Sequence, residues 1–279
     1  MTTMAIDTYA VERAVARLAA AVEGGRPVAP VRDLLGEHDV AAAYAVQQEL
    51  TRRRLAAGAT VVGRKIGLTS PAVQKQLGVD QPDFGMLFAD MDVSAEPEIP
   101  MERLSQPKAE AEIAFVLGED LADGDLDAAR VRGAVEYAVA AIEIVDSRIA
   151  AWDIRLTDTV ADNASSGLFV LGEHRVTPDA FEPRETTMRM YADDEPVSEG
   201  AGAACLGDPL NALAWLARTA REHGLPLRAG QIVLSGALGP MVPVSPGVRI
   251  RAEISSLGTV TALFSARPQE RHQPEEEDA

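Results

Sequence analysis

Across its 279 residues the chain has a single cysteine, Cys205, only 4% aromatic residues, and four histidines scattered at positions 38, 174, 223 and 272. One cysteine excludes an internal disulfide and a thiolate zinc knot, and histidines at those intervals give no zinc-ligand spacing. Cys205 reads as an inert small apolar residue beside a helix that starts at 208. No apolar run approaches the roughly 20 residues that span a bilayer. The N-terminal MTTMAIDTYAVERAVARLAAA has no basic segment followed by an apolar one, so a soluble, cytoplasmic chain is expected. Basic charge is also short: the formal net charge is -17, spread along the chain with an extra acidic cluster at the tail, which makes nucleic acid and anionic membrane poor partners. Finally, there is no GxGxxG turn, no GxxxxGK followed by Ser or Thr, and no GxSxG elbow, so nucleotide binding and serine hydrolysis have no support.

What is present is enough apolar sequence, 47% of the residues, for a large core. Residues 8 to 23 and 39 to 57 carry apolar positions at helical spacing, with Gly24-Gly25 and Gly58 where stops belong. From Thr60 the texture changes to short strands punctuated by Gly and Pro, as in TVVGRKIGL, AEIAFVLG, AAIEIVDS, SGLFVLG and QIVLSGALG. Two further helices are expected, over 126 to 140 and in DPLNALAWLARTAREHG, where Asp208 caps, Pro209 takes the first helical position and Gly224 ends the run. The fold class is therefore α+β, a barrel-like, mostly antiparallel core with an N-terminal helical layer. The expected division is helical layer 1–58, catalytic core 59–267 and a disordered acidic tail 268–279.

Three acids stand out. In QPKAEAEIAFVLG, residues 106 to 118, strand alternation puts Glu110 and Glu112 on one face with Ala114 and Val116, where two carboxylates side by side need a cation or a proton. In AVAAIEIVDSR, Glu143 is a lone acid in an apolar run. A basic partner such as Arg148 or Lys108 would satisfy it without any metal. Three such acids taken together fit a hard divalent cation, Mg²⁺ or Mn²⁺, with about three octahedral positions left for water or a chelating substrate. Lys65, between apolar strand residues, is expected to be desolvated and close to the cation, and both effects would lower its pKa toward the range useful for proton transfer. Asp83 in DQPDFGM and the polar stretch DTVADNASSG complete the candidates.

Together GRKIGLTSPAVQKQLGVDQPDFGMLFADM, QPKAEAEIAFVLG, AIEIVDSRIAAWDIRLTDTVADNASSG and CLGDPLNALAWLA resemble the 2-keto-4-pentenoate hydratase family, within the wider fumarylacetoacetate hydrolase-like superfamily, over about residues 8 to 266. The resemblance implies a mixed β-roll behind an N-terminal helical part, a homo-oligomer, and a divalent-metal hydro-lyase of aromatic meta-cleavage catabolism. Such an enzyme converts 2-hydroxypenta-2,4-dienoate to 4-hydroxy-2-oxopentanoate. It further implies that Glu110, Glu112 and Glu143 carry the metal, that Lys65 is the active-site lysine with Asp83 nearby, and that Ser165 lines the pocket. The competing reading is 4-oxalocrotonate decarboxylase. Such relatives often carry Trp before the active-site lysine, so Arg64 in GRK favours the hydratase and is expected to meet the substrate. A non-catalytic acidic scaffold would explain the net charge but not the three embedded acids.

Overall fold

The computed structural model describes residues 6–70, 74–75, 79 and 81–266. The acidic tail expected over 268–279 lies outside the described residues. Helix α1 (Thr8–Gly24) starts where the Asp7 carboxylate accepts the Tyr9 and Ala10 N–H groups, and it stops at Gly25 in left-handed backbone. A single turn, α2 (Arg32–Leu35), leads to α3 (Val40–Ala56), capped by Asp39 through the Ala42 N–H. The inner stripes of α1 and α3, among them Ala14, Val15, Leu18, Ala43 and Val46, do not close a core by themselves. Ile149, Val160 and Ala161, from far along the chain, complete it.

The strands follow as β1 (Val61–Gly67), β2 (Asp83–Phe88), β3 (Lys108–Leu117), β4 (Val135–Val145), β5 (Ser166–Leu171), β6 (Thr187–Ala192), β7 (Glu195–Ala201), β8 (Ile232–Leu234), β9 (Val242–Pro243), β10 (Arg249–Ile254) and β11 (Gly258–Leu263). Between them lie α4 (Ala128–Ala134), α5 (Leu156–Ala161) and α6 (Pro209–Glu222). A seven-stranded sheet runs β2-β1-β8-β3-β4-β5 with β9 beside β3, and a four-stranded sheet runs β11-β10-β6-β7. Within the larger sheet β1 and β8 are parallel and the other pairs antiparallel. The small sheet packs on β4 and β5, and both sheets share one hydrophobic core with α6. The class is α+β, as the texture of the sequence indicates.

One expected helix is cut short. The run over 126 to 140 is helical only as α4, capped by Asp127, and from Val135 the chain is strand. The Ala-rich composition favours a helix, but β3 offers a partner in register from Lys108 opposite Val145 to Val116 opposite Tyr137, with a one-residue shift before Leu117 opposite Val135. That pairing overrides local propensity. α6 behaves as its sequence suggests: Asp208 accepts the Leu210 N–H, Pro209 opens the first turn, and Gly224 follows the last turn at φ 73°.

Two side chains turn this scaffold into a frame for a site. Gln47 of α3 is buried and donates to the carbonyls of Phe84 (2.8 Å) and Val160 (3.0 Å), tying the helical layer to the edge strand β2. Asn163, just ahead of β5, accepts the Met86 N–H at 2.7 Å and donates to the Met86 carbonyl at 2.9 Å. The two edge strands of the larger sheet are thus brought together at this turn.

Candidate active site

The antiparallel register of β3 and β4 sets Glu110 directly opposite Glu143, with Glu112 opposite Ala141 one pair further along that face. Each of the three carboxylates places an oxygen within 4.8 Å of the others. Glu112 and Glu143 are fully buried, while Glu110 keeps some accessible surface at the rim. Lys65 shares the face because the registers run from Lys65 through Leu234 to Ala114, two residues beyond Glu112. Its Nζ donates to the Ala164 carbonyl at 2.9 Å and stands 3.1 Å from Glu143 Oε1, an ion pair out of line for a hydrogen bond. Asp83 lies opposite Gly67, two residues along from Lys65 on that same face.

The basic partners considered for Glu143 on sequence grounds are engaged elsewhere. Arg148 binds Asp162, and Lys108 stands over the Trp152 ring with its Nζ 4.1 Å from the centroid. Lys65 is the partner instead, and it faces four acids. Burial works to lower its pKa, but the fields of Glu143, Glu110, Asp83 and Glu112 outweigh burial and hold the ammonium above its ordinary value. Desolvation acts in the expected direction, but the surrounding acids reverse the net sign; the lowering expected from a neighbouring cation belongs to the metal-bound site. The acids move the other way. Burial and the neighbouring Glu143 push Glu110 up to about 7, and burial followed by Glu143 and Glu110 raises Glu112 well above the carboxylate range. Burial also raises Glu143 and Asp83, against the pull of Lys65 on each.

The donor set has room for a cation. Glu112 Oε1, both Glu143 oxygens, Asp83 Oδ1 and the Ser165 hydroxyl are buried without a hydrogen bond among the described residues. Orphaned buried carboxylate oxygens are expensive, and a hard divalent cation is the group that all-oxygen donors satisfy. Glu112 Oε2 is already fixed by the Gly236 N–H at 2.8 Å, which leaves Oε1 as its free donor.

A family model described as fumarylacetoacetate (FAA) hydrolase C-terminal matches residues 60–264. Over 258 residues, 92% of this chain and 96% of the relative, the sequence is 57% identical to a TodF product hydratase of Pseudomonas putida. It is 52% identical over 255 residues to a 2-keto-4-pentenoate hydratase of Paraburkholderia xenovorans, covering 91% of this chain and 95% of that one. The chain belongs to the 2-keto-4-pentenoate hydratase family. Among solved structures, the 4-oxalocrotonate decarboxylase of Pseudomonas putida G7, complexed with magnesium and adipate, superposes on this family member with a TM-score of 0.87 at 33% identity, covering 93% of this chain and 99% of its own.

Of the residues singled out in the sequence, Lys65, Asp83, Glu110, Glu112 and Glu143 come together, and Ser165 adjoins them through the Ala164–Lys65 bond. Arg64 does not. Adjacent strand residues face opposite sides, and Arg64 points to the far face, where Nη2 donates to the Leu225 carbonyl at 2.6 Å beyond the C-terminus of α6 and Nε lies 3.4 Å from Met86 Sδ. Burial lowers its pKa to about 10. The expected substrate contact at Arg64 is replaced by a structural one. A surface depression of about 780 Å³ on the small sheet, between Thr187, Arg189, Glu199 and Glu253, contains none of the candidate residues.

Several supporting residues, some of them inside the candidate stretch DTVADNASSG, have roles that the sequence did not specify. Thr159 donates its hydroxyl to Asp83 Oδ2 at 3.2 Å. A side chain at Gly67 would collide with the Asp83 carboxylate, and one at Gly85 with the Asn163 carbonyl, so both glycines are required by close approach. Asn163, Ala164 and Ser165 all have left-handed backbone, at φ 54°, 52° and 52°. Each such non-glycine residue costs about 1–2 kcal/mol, and strain of this kind concentrates at functional sites. The one visible signal was the Asp-Asn pair at 162–163, which tolerates such turns.

Proposed function

We propose that this chain is a metal-dependent hydro-lyase that adds water to 2-hydroxypenta-2,4-dienoate, the enol of 2-keto-4-pentenoate, giving 4-hydroxy-2-oxopentanoate in the meta-cleavage degradation of aromatic compounds. The observation that carries the reading is the face shared by Glu110, Glu112, Glu143 and Lys65, with three carboxylate oxygens of the two buried glutamates lacking partners, in a chain 52% and 57% identical to named hydratases. Glu110, Glu112 and Glu143 would hold Mg²⁺ or Mn²⁺. When bound, that ion supplies a Lewis acid and a template for a substrate carboxylate and its neighbouring C2 oxygen.

The chain's own groups then manage protons. One proton leaves the C2 hydroxyl and one arrives at C5, converting the dienol to the conjugated enone. In the second step the oxygen of water goes to C4 and its proton to C3. Lys65 Nζ and Asp83 Oδ1 are the charged proton-carrying atoms of the site that are not assigned to the metal, with the Ser165 hydroxyl beside them. Nζ donates one proton to the Ala164 carbonyl and is ion-paired with Glu143 without a hydrogen bond to it, so among the described residues it keeps protons to offer a reactant. Asp83 Oδ1 is buried without a hydrogen bond, and its raised pKa suits a carboxyl that takes and returns a proton. Burial of Lys65, Asp83, Glu112 and Glu143 limits competition from bulk water.

The decarboxylase reading is the weaker of the two, resting on 33% identity against 52% and 57%. The residue that distinguished them in the sequence, Arg64, faces away from Lys65, so the preference rests on the relatives. A homo-oligomer acting in the cytoplasm belongs to the same proposal and is checked by light scattering and cell fractionation. The decisive assay supplies freshly generated 2-hydroxypenta-2,4-dienoate with Mg²⁺ or Mn²⁺ and identifies the product by mass. Gain of one water supports the reading; no reaction with the dienoate, together with CO₂ release from 4-oxalocrotonate, overturns it.

A further inference from the structure

Three successive residues without glycine's freedom, Asn163, Ala164 and Ser165, stay in left-handed backbone only if their surroundings over-determine them. Arg148, in the loop after β4, spans this turn. Its Nε donates to the Asp162 carboxylate and its Nη2 to the Asp162 carbonyl, on the leading side of the turn. On the trailing side, Nη1 donates to the Ser166 carbonyl at 2.6 Å, and it reaches the Asp146 carbonyl at 2.7 Å as well. The other Asp162 oxygen accepts the Ser147 hydroxyl at 3.1 Å and the Arg148 N–H at 2.9 Å. The Asp146 N–H closes the arrangement on the Ser165 carbonyl at 2.8 Å. A planar guanidinium with five fixed donors can bridge both flanks at once, which an ammonium cannot.

None of these atoms belongs to the acid cluster, yet the turn they brace carries the carbonyl of Ala164. That carbonyl takes one proton of Lys65 Nζ at 2.9 Å and so restrains a flexible side chain that four acids otherwise pull toward themselves. We propose that Arg148 is a positioning residue for the hydration: by clamping Asp162 and Ser166 it holds the left-handed turn, and through the Ala164 carbonyl it sets the direction of the Lys65 ammonium. The effect on turnover rests on the hydratase reading; the effect on the turn does not.

The test uses the full chain loaded with Mg²⁺ and the variants Arg148→Gln, Arg148→Lys, Ala164→Gly and the Arg148→Gln/Ala164→Gly double variant. Arg148→Gln lowers kcat about 10²-fold, the scale of a small misplacement, while KM and Mn²⁺ affinity by calorimetry stay within about threefold. Arg148→Lys recovers only part of the loss, because it keeps the charge without the fork. Amide exchange followed by mass spectrometry rises in the peptides covering residues 146–148 and 162–166 and is unchanged in α1. Glycine takes left-handed backbone without strain, so the double variant retains about tenfold more activity than the product of the two single losses. The proposal is overturned if the losses multiply, if Mn²⁺ affinity and melting temperature fall in step with kcat, or if local exchange is unaltered. Should the wild-type chain fail to hydrate the dienoate, the hydratase reading falls on that result, and the exchange measurement still decides whether Arg148 holds the turn.

Discussion

Asp158 on α5 and Glu143 on β4 are equally buried carboxylates with opposite surroundings. Asp158 accepts the Val31 and Arg32 N–H groups on Oδ1, and the Arg155 N–H and the Arg32 guanidinium on Oδ2, all between 2.6 and 3.0 Å. It seals the seam between the helical layer and α5, and no lone pair is left idle. Glu143 and its neighbour Glu112 have three of four oxygens without a hydrogen bond among the described residues, beside one ammonium shared among four acids. A buried acid used for stability is partnered on both oxygens. One left short, as Glu143 is, fits the metal-holding role proposed for it. The comparison separates structural from functional burial by hydrogen bonds alone.

The largest effect expected on the unsatisfied side is that of metal removal. Chelator-treated protein loses turnover by about 10³-fold or more, because a cation on the substrate oxygens contributes several kcal/mol to the transition state. Mg²⁺ or Mn²⁺ restores it better than Zn²⁺, since the donors are all oxygen. Full activity after chelation, with metal content verified by mass spectrometry, would break the comparison at its root. Next in size is Lys65→Ala, with kcat lower by about 10² to 10⁴ and Mn²⁺ affinity nearly constant, the contribution of a positioned proton carrier. A rise in KM with kcat preserved would make Lys65 a substrate anchor instead.

The direct contrast comes third. Asp158→Asn removes a charge around which four hydrogen-bond donors are arranged, and it lowers unfolding free energy by about 3 kcal/mol with kcat of the folded fraction unchanged. Glu143→Gln in metal-free protein is neutral or raises the melting temperature, since it removes one of several mutually repelling acids, while Mn²⁺ affinity and turnover are lost. Denaturant titrations of both variants in chelator check the pair, and the idea fails if Glu143→Gln proves the more destabilising of the two.

How much of this was legible in the sequence follows from range. The stops at Gly24-Gly25 and Gly58 and the cap at Asp208 act within a few residues, so three helices could be read to within a residue or two, while the caps at Asp7 and Asp39 appear only in the structure. Glu110, Glu112 and Glu143 were visible because a charge in an apolar run is anomalous whatever its partners. Val135–Ala140 was not, because ten consecutive residues of β3, absent from any local window, turn an Ala-rich segment into strand. The sign of the Lys65 shift depends on acids contributed by three other strands. Arg64 is a different case: strand alternation alone excludes it from the face of Lys65, so the sequence already contained the correction.

The smallest expected effect is a pH dependence of metal-free stability, and it sharpens the same contrast. Glu110 has an ordinary carboxyl pKa of 4.5 when unfolded and is pushed up to about 7 by burial and Glu143 when folded. Between those values the folded state binds more protons than the unfolded state, so unfolding free energy falls as pH rises. This contribution is fully present below 4.5 and lost as pH passes through about 7. Metal-free protein therefore melts higher near the acid end of that window than above it, with a slope on the order of 1 kcal/mol per pH unit. Glu110→Gln reduces the slope by its own share and leaves the share of Glu112, Glu143 and Asp83, which burial also raises. With Mg²⁺ present the trend opposes itself, since the cation binds only ionised acids, and the rise in melting temperature caused by metal grows with pH through the same interval. A metal-induced shift that is constant from pH 5 to 8 would mean that the cation does not compete with protons for these carboxylates, and that the orphaned oxygens are not its ligands.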